Sequence, residues 1–301
     1  MRAHRFSNRA VLSILLKSSL SMPVGCRSYT ADGREADGTK GSDWLPTQFV
    51  QFSCRLHALG IAAAACVPDS LTYIGALIAL NQVIVSGAGM YPKSTLLGNN
   101  MVRLSPAAAA RGEVALSFDD GPDPAVTPKV LQVLDQYEVK ASFFCIGKRA
   151  IACPEIVAET AARGHRVENH SFSHSHAFGF YGVRSLASDI HRSQEALEKI
   201  TGCRPSLLRA PAGIRNLWLD PVLTQLDLTL VSWTRRGFDT VCRQPQTITQ
   251  RLVQGLAAGD ILLLHDGSSR RDVHGRPVVL EVLPRLIEAI AAKGLTPVPI
   301  V

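Results

Sequence analysis

The sequence predicts an α/β fold, a distorted (β/α) barrel of about seven parallel strands, preceded by an N-terminal membrane-associated helical segment. Beyond residue 112, short apolar runs alternate with helical patterns, and this alternation favours a parallel sheet. Polar and titratable residues follow these runs, as they do at the C-terminal ends of strands in parallel barrels. A long uncharged stretch stands before this part of the chain and predicts the membrane segment.

Composition and charge exclude several classes of protein. Of the 301 residues, 46% are hydrophobic and 19% are charged, which excludes a disordered chain. The formal net charge is +7, but residues 1–112 hold 11 Lys and Arg against 5 Asp and Glu, whereas residues 113–301 hold 21 against 20. The nearly neutral C-terminal part offers no basic groove, so we expect no nucleic-acid partner.

The N-terminal third is expected to attach to a membrane. Residues 70–92 form an uncharged stretch of 23 residues, and a helix needs about 20 apolar residues to span a bilayer core. A shorter apolar run precedes it, so 58–92 is predicted to form a membrane helix or a helical hairpin; a buried helix pair is the alternative. Basic flanks at Arg55 and Lys93 favour a hairpin with both ends and the barrel in the cytoplasm. A single span would place the barrel on the periplasmic or extracellular side.

The rest of the chain is predicted to consist of three parts. Residues 1–57 form a poorly structured basic N-terminal region, residues 93–112 a linker, and residues 113–301 the barrel. The linker is predicted from Ser105-Pro106 and the four alanines that follow.

Seven apolar runs in the last part predict strands. Helical patterns fill most of the gaps, the clearest over 126–137 and over 184–200, where Gly202 follows as a C-terminal stop. The predicted strands are 114–118, 141–145, 166–168, 206–208, 228–233, 261–264 and 296–300.

The residues that follow these strands have side chains suited to metal binding and proton transfer. Two imidazoles and one carboxylate suit a zinc-like ion, because three protein ligands leave a coordination position open for water. Of two adjacent aspartates, one can reach such an ion, and the other is then free to act as a general base. The residues in question are Asp119 and Asp120 after the first strand, His170 and His174 after the third, Arg209 after the fourth, Asp239 beyond the fifth and His265 at the end of the sixth.

The order of these motifs resembles the polysaccharide deacetylase family, the NodB homology domain of carbohydrate esterase family 4, over about 113–301. The resemblance rests on Ser-Phe-Asp-Asp-Gly-Pro at 117–122, His-Ser-x-x-His at 170–174, Arg-Ala-Pro-Ala-Gly at 209–213 and Leu-Leu-Leu-His-Asp at 262–266.

The resemblance implies a role for each motif residue. Asp119 would be the general base, and Arg209 would pair with it. His265 would be the general acid, oriented by Asp239. The implied metal ligands are Asp120, His170 and His174, and the implied substrate-binding groups are the Ala212 backbone N–H facing the oxyanion, Leu263 beside the acetyl methyl group, and Trp233.

Two motifs depart from the family pattern. Where family members commonly show Asp-x-x-Asp-Trp, this sequence keeps Asp239, has Arg236 in place of the first Asp and Thr240 in place of the Trp. Ala212 stands where a Tyr is common. The polymer specificity of the family therefore does not carry over to this chain.

The activity implied by the resemblance is that of a metal-dependent hydrolase. It would remove the N-acetyl group from an amino sugar in a poly-, oligo- or lipid-linked saccharide, using a divalent ion such as Zn, or Co, Ni or Mn. A deformylase or another amide hydrolase of the same family, and a catalytically silent carbohydrate-binding module, are the alternatives. The expected localisation is membrane-associated with a cytoplasmic catalytic domain, and the oligomeric state stays open.

Overall fold

The computed structural model describes residues 44–301, which form an α/β barrel with a helical hairpin before it. Its strands are β1 (Glu113–Asp119), β2 (Ser142–Cys145), β3 (Arg166–Asn169), β4 (Leu207–Leu208), β5 (Thr229–Leu230), β6 (Arg235–Arg236), β7 (Ile261–His265) and β8 (Thr296–Val298). Its helices are α1 (Gln48–Cys66), α2 (Leu71–Met90), α3 (Pro106–Ala110), α4 (Thr127–Gln136), α5 (Gly147–Ala152), α6 (Pro154–Ala162), α7 (Val183–Thr201), α8 (Leu219–Gln225), α9 (Pro245–Val253) and α10 (Val279–Ala291). Short 3-10 turns occur at Pro68–Ser70, Phe178–Phe180 and Pro211–Gly213.

All strand pairings in this sheet are parallel. Seven strands form a row in the order β5-β4-β3-β2-β1-β7-β6, and β8 pairs with the beginning of β1. The predicted distorted barrel of about seven parallel strands is confirmed. Strand β6 has no counterpart among the predicted runs because two adjacent arginines carry no apolar signal.

The core lies on both faces of the sheet because successive side chains of a strand point in opposite directions. In β1, Val114, Leu116 and Phe118 belong to the large cluster that packs under the surrounding helices. The residue between the first two, Ala115, lies in a smaller cluster inside the barrel. Central strands of this kind are buried on both faces, which is why they appear in the sequence as continuous apolar runs.

A segment before β1 fills the gap between β5 and β7. The Met101 N–H donates to the Leu230 carbonyl at 2.8 Å, and the Leu104 N–H donates to the Gly259 carbonyl at 2.9 Å. We call residues 101–104 the closing segment. It lies within the predicted linker 93–112, and its Leu104 side chain is buried inside the barrel.

The hairpin consists of α1 and α2, which pack against each other in antiparallel directions. The Ser53 hydroxyl donates to the Asn81 side-chain oxygen at 3.0 Å in a buried contact, and Gly60 lies against Ile74 and Ile78. Among residues 44–301, one helix, α2, is long and apolar enough to cross a membrane, with a mean hydropathy of 1.6 and 11% of the window buried.

Helix α1 begins at Gln48, inside the region predicted as 1–57. The Thr47 hydroxyl accepts from the Val50 N–H at 3.2 Å and caps the helix, a local signal that is independent of apolar runs. Residues 1–43 of that region lie outside the described part of the chain.

Candidate active site

The predicted site residues meet at one rim of the barrel. Asp119 and His265 are the last residues of β1 and β7 and lie opposite each other in the parallel register. His170 follows β3 directly, and Arg209 follows β4. The C-terminal ends of parallel strands open toward the same side, so side chains distant in sequence converge there.

Three potential metal ligands lie together at this rim. Oδ1 of Asp120 is 3.3 Å from Nε2 of His170 and 3.1 Å from Nε2 of His174. The three ligand atoms all lie within 4.8 Å of one another. The Asp120 and His170 side chains are buried, whereas His174 is partly exposed, so the cluster opens toward solvent on one side.

The hydrogen bonding of this cluster fits a bound cation. His170 donates from Nδ1 to the Arg209 carbonyl at 2.8 Å, which leaves Nε2 free as a ligand. Oδ1 of Asp120 is buried and has no hydrogen-bond partner within residues 44–301, although two imidazoles face it. An ion between the three atoms would satisfy all of them. The donor set of two imidazole nitrogens and one carboxylate is one that zinc and related divalent ions accept.

The electrostatics of the cluster also favour positive charge. Burial raises the pKa of Asp120, but the imidazoles of His170 and His174 outweigh it and hold this pKa well below its ordinary value. Burial lowers the pKa of His170, yet the charges of Asp119 and Asp120 outweigh it and raise this pKa. A site that favours a protonated imidazole is one that attracts a cation.

Asp119 forms a buried ion pair beside the cluster. Arg209 donates from Nη1 to Oδ1 of Asp119 at 2.6 Å, and the arginine side chain is 0% exposed. The same nitrogen donates to the Ser117 hydroxyl at 3.0 Å, and the guanidinium lies 4.0 Å from the Phe144 ring centroid. This pairing compensates both buried charges and leaves the second oxygen of Asp119, 3.9 Å from Nε2 of His170, facing the cluster.

His265 is held by Asp239 through two contacts. Its Nδ1 lies 2.9 Å from Oδ1 of Asp239, and its backbone N–H donates to Oδ2 at 2.8 Å. Burial lowers the pKa of His265, but the hydrogen bond that its Nδ1 donates to Asp239 outweighs this effect and raises the pKa. The imidazole therefore keeps a proton more readily than a free histidine does, as a proton donor requires.

Comparison with known proteins identifies the family. A family model described as polysaccharide deacetylase matches residues 107–231. A peptidoglycan-N-acetylglucosamine deacetylase of Bacillus cereus is 33% identical over 175 residues, which cover 58% of this chain and 81% of the relative. The chain belongs to the polysaccharide deacetylase family.

Other members of the polysaccharide deacetylase family are similar to different lengths of this chain. A peptidoglycan-N-acetylmuramic acid deacetylase of Bacillus subtilis is 35% identical over 153 residues, 51% of this chain and 32% of the relative, so the match spans about a third of that protein. The solved family 4 carbohydrate esterase from Streptomyces lividans, in complex with acetate, is 32% identical with a TM-score of 0.56, covering 62% of this chain and 91% of that structure.

The three substrate-binding residues implied by the family resemblance lie near the same rim. Ala212 sits in the turn Pro211–Gly213 with φ 54°, and Leu263 is buried on β7. A Cβ on Gly213, whose φ is 72°, would lie 2.8 Å from the Trp233 ring, so the turn and the tryptophan are in close contact. The roles of Ala212, Leu263 and Trp233 stay predictions.

Two residues at the candidate site were not predicted from the sequence. The Ser268 hydroxyl donates to Oδ2 of Asp120. Arg149 donates from Nη1 to the Asp120 carbonyl at 2.7 Å and to the Gly267 carbonyl at 2.9 Å. Arg149 follows β2, so the rule that found the other rim residues also applies to it. Ser268 lies in a loop with no periodic pattern, and nothing in the sequence marks it.

Proposed function

We propose that the protein is a metal-dependent hydrolase that removes the N-acetyl group from an amino sugar in a poly-, oligo- or lipid-linked saccharide. The observation that supports the proposal is that three potential metal ligands lie beside one carboxylate and one imidazole. The carboxylate is paired with Arg209, and the imidazole is held by Asp239. Relatives that share the family are described as deacetylases of peptidoglycan and of chitooligosaccharides.

Asp120, His170 and His174 would hold the metal. A divalent cation held there, zinc by the choice of ligands or otherwise cobalt, nickel or manganese, would polarise the amide carbonyl and lower the pKa of water toward about 7. The partly exposed His174 leaves room for water and substrate on the open side of the cluster.

Asp119 would accept the proton of the attacking water. The buried Arg209 guanidinium pairs with Oδ1 and compensates the negative charge that a base carries. Because Oδ1 is occupied by the guanidinium, the second oxygen is the one available for the proton. The Ala212 N–H would donate to the oxyanion that forms when water adds to the amide carbon.

His265 would protonate the departing nitrogen. An amine leaves poorly as an anion, so breaking the C–N bond requires a proton at that nitrogen. Asp239 fixes Nδ1 and thereby directs Nε2 toward the reacting groups. Water and amide thus become acetic acid and a free amine; Asp119 takes one proton and His265 supplies another.

We further propose that the hairpin anchors the protein to a membrane. Large apolar side chains are exposed along both helices, among them Leu59, Ile61, Leu77, Leu80 and Val83. The antiparallel packing brings the chain back to the barrel side, which supports the hairpin with both ends and the catalytic domain in the cytoplasm over a single span. Such exposed apolar helices also favour a lipid-linked substrate, on which formyl removal is the second candidate reaction.

One assay tests the activity and separates the candidates. Acetate and formate release are measured from soluble and lipid-linked N-acylated glycans, with and without chelator. We expect acetate release that stops with chelator and returns when zinc is added. Release of formate alone would establish the second candidate. Acetate or formate release that is unchanged by the chelator would refute metal dependence. If neither acetate nor formate is released from any glycan in the presence of metal, the silent binding module is the remaining candidate.

A further inference from the structure

A cation that has no carboxylate partner in the described part of the chain lies at the rim of the barrel. Arg236 forms no ion pair within residues 44–301, and its buried Nε has no hydrogen-bond partner. Its guanidinium carbon lies 5.0 Å from the centroid of the Phe238 ring and 5.6 Å from that of Trp233. These contacts restrain the guanidinium but do not neutralise its charge.

The strand register shows which face of the sheet carries this residue. Arg236 is opposite Leu263, and Leu263 is opposite Ser117 on β1. Residues paired in register point to the same face, and Ser117 contacts the guanidinium of Arg209. Arg236 is therefore on the inner face that carries the Asp119–Arg209 pair.

The preceding arginine provides a comparison. Arg235 is opposite Leu262, which packs under the surrounding helices, and it donates to the carboxylate of Asp260 at 2.5 Å. Its charge is thus compensated on the outer face. Among the described residues, the outer of these two adjacent arginines has an acidic partner and the inner one has none.

The contacts of Arg236 connect it to residues of the candidate site. Trp233, on which it stacks, contacts Gly213 in the turn that carries the Ala212 N–H. Three residues beyond Arg236 along the chain, Asp239 holds His265. An anion bound at Arg236 would therefore belong to the molecule whose amide lies at the site.

We propose that Arg236 binds an anionic group, a carboxylate or a phosphate, carried by the saccharide substrate beside its N-acyl amino sugar. The planar guanidinium fork matches both oxyacids in a bidentate manner. This inference rests on the proposed function and narrows its substrate class to acidic saccharides. The carboxylate would come from an acidic sugar or sugar ether, and the phosphate from a lipid or nucleotide carrier.

The test compares neutral and charged substrates in the full chain. N,N′-diacetylchitobiose is the neutral substrate; the same disaccharide bearing a carboxylate, and its 1-phosphate, are the charged ones. In Arg236→Met, kcat/KM for the preferred charged substrate should fall at least about 10-fold, as expected for a lost charged hydrogen bond. The neutral substrate should change less than about 2-fold, which also shows that the variant is folded.

Two further variants sharpen the comparison. Arg236→Lys should recover part of the lost rate, because it restores the charge without the fork. Arg251→Met removes the other cation near the Phe238 ring, 5.7 Å from its centroid, and should leave both substrates unaffected. Which charged substrate responds more identifies the source of the anion.

Binding gives a readout that does not depend on turnover. Calorimetric titration of the charged disaccharides into the wild type and Arg236→Met should show at least about 10-fold weaker binding in the variant. If no acyl group is released but this difference appears, the proposed function fails and the anion site stands. If Arg236→Met affects neutral and charged saccharides equally, or neither, the anion site is refuted while deacetylation can still be observed.

Discussion

Ser268→Ala should weaken metal binding with little effect on the chemistry of the loaded enzyme. The Ser268 hydroxyl donates to Oδ2 of Asp120, while Oδ1 faces the two histidines. The bond thus fixes the rotation of the carboxylate that presents Oδ1 to the ion. A hydrogen bond to a charged group contributes about 1.5–3 kcal/mol, which corresponds to about a 10- to 100-fold loss of affinity.

Competition with a chromophoric chelator measures this affinity directly. We expect the zinc Kd of Ser268→Ala to rise about 10- to 100-fold, and kcat at saturating zinc to stay within about 3-fold of the wild type. Ser269→Ala is the matched control, since the Ser269 hydroxyl accepts from the Val279 N–H at 3.1 Å and caps α10 instead. An unchanged Kd in Ser268→Ala, or an equal rise in both variants, would refute the orienting role.

Three more outcomes follow from the site and the fold. Asp119→Asn should retain zinc but lose about 10²–10⁴-fold in turnover, whereas His174→Ala should lose both zinc and turnover. Zinc content and acetate release are measured for each variant, and exchanged results would contradict the assignment of base and metal ligand. Burial raises the pKa of Asp266 to about 7, so the folded chain keeps this proton above the usual aspartate pKa of about 4, and the free energy of unfolding should fall as pH rises from about 4 to 7. Asp266→Asn should flatten that slope in urea titrations with chelator present, and an unchanged slope would disprove the assignment. A chain beginning at Tyr91 should leave the membrane fraction and fold, whereas one beginning at Ser105 lacks the closing segment and should have a lower Tm; equal Tm values would show that the segment is dispensable.

The barrel and most of its site could be predicted because two simple rules apply. Central parallel strands must be apolar on both faces, so β1 and β7 are visible as runs. The residues at the ends of such strands share one rim, so the sequence predicts that Asp119, His170 and His265 lie together.

The remainder depends on contacts that composition does not encode. The closing segment 101–104 pairs with the rest of the sheet through single β-bridges. It is too short and too mixed in composition to show a periodic pattern, and the Ser-Pro-Ala stretch after it resembles a linker. Ser268 acts through the path of its loop against Asp120, which only the folded chain specifies. The position of Arg149 after β2 could be predicted, but its bond to the Asp120 carbonyl depends on how α5 packs. Strand β6 is held by its neighbour β7 and by the ion pair of Arg235 with Asp260. Its own residues have no strong strand propensity.

Arg209 makes assembly of the site depend on completion of the barrel. Its side chain reaches Asp119 on β1 and the Ser232 carbonyl after β5, while its own carbonyl accepts from His170. The Ser232 N–H in turn donates to the Met101 carbonyl of the closing segment at 2.8 Å. A partly folded chain would leave this guanidinium unpaired in an apolar interior, so such forms are disfavoured and lack an ordered ligand set. Zinc affinity during refolding should therefore rise only when the last gap in the sheet is filled. Metal uptake would then report when the barrel closes.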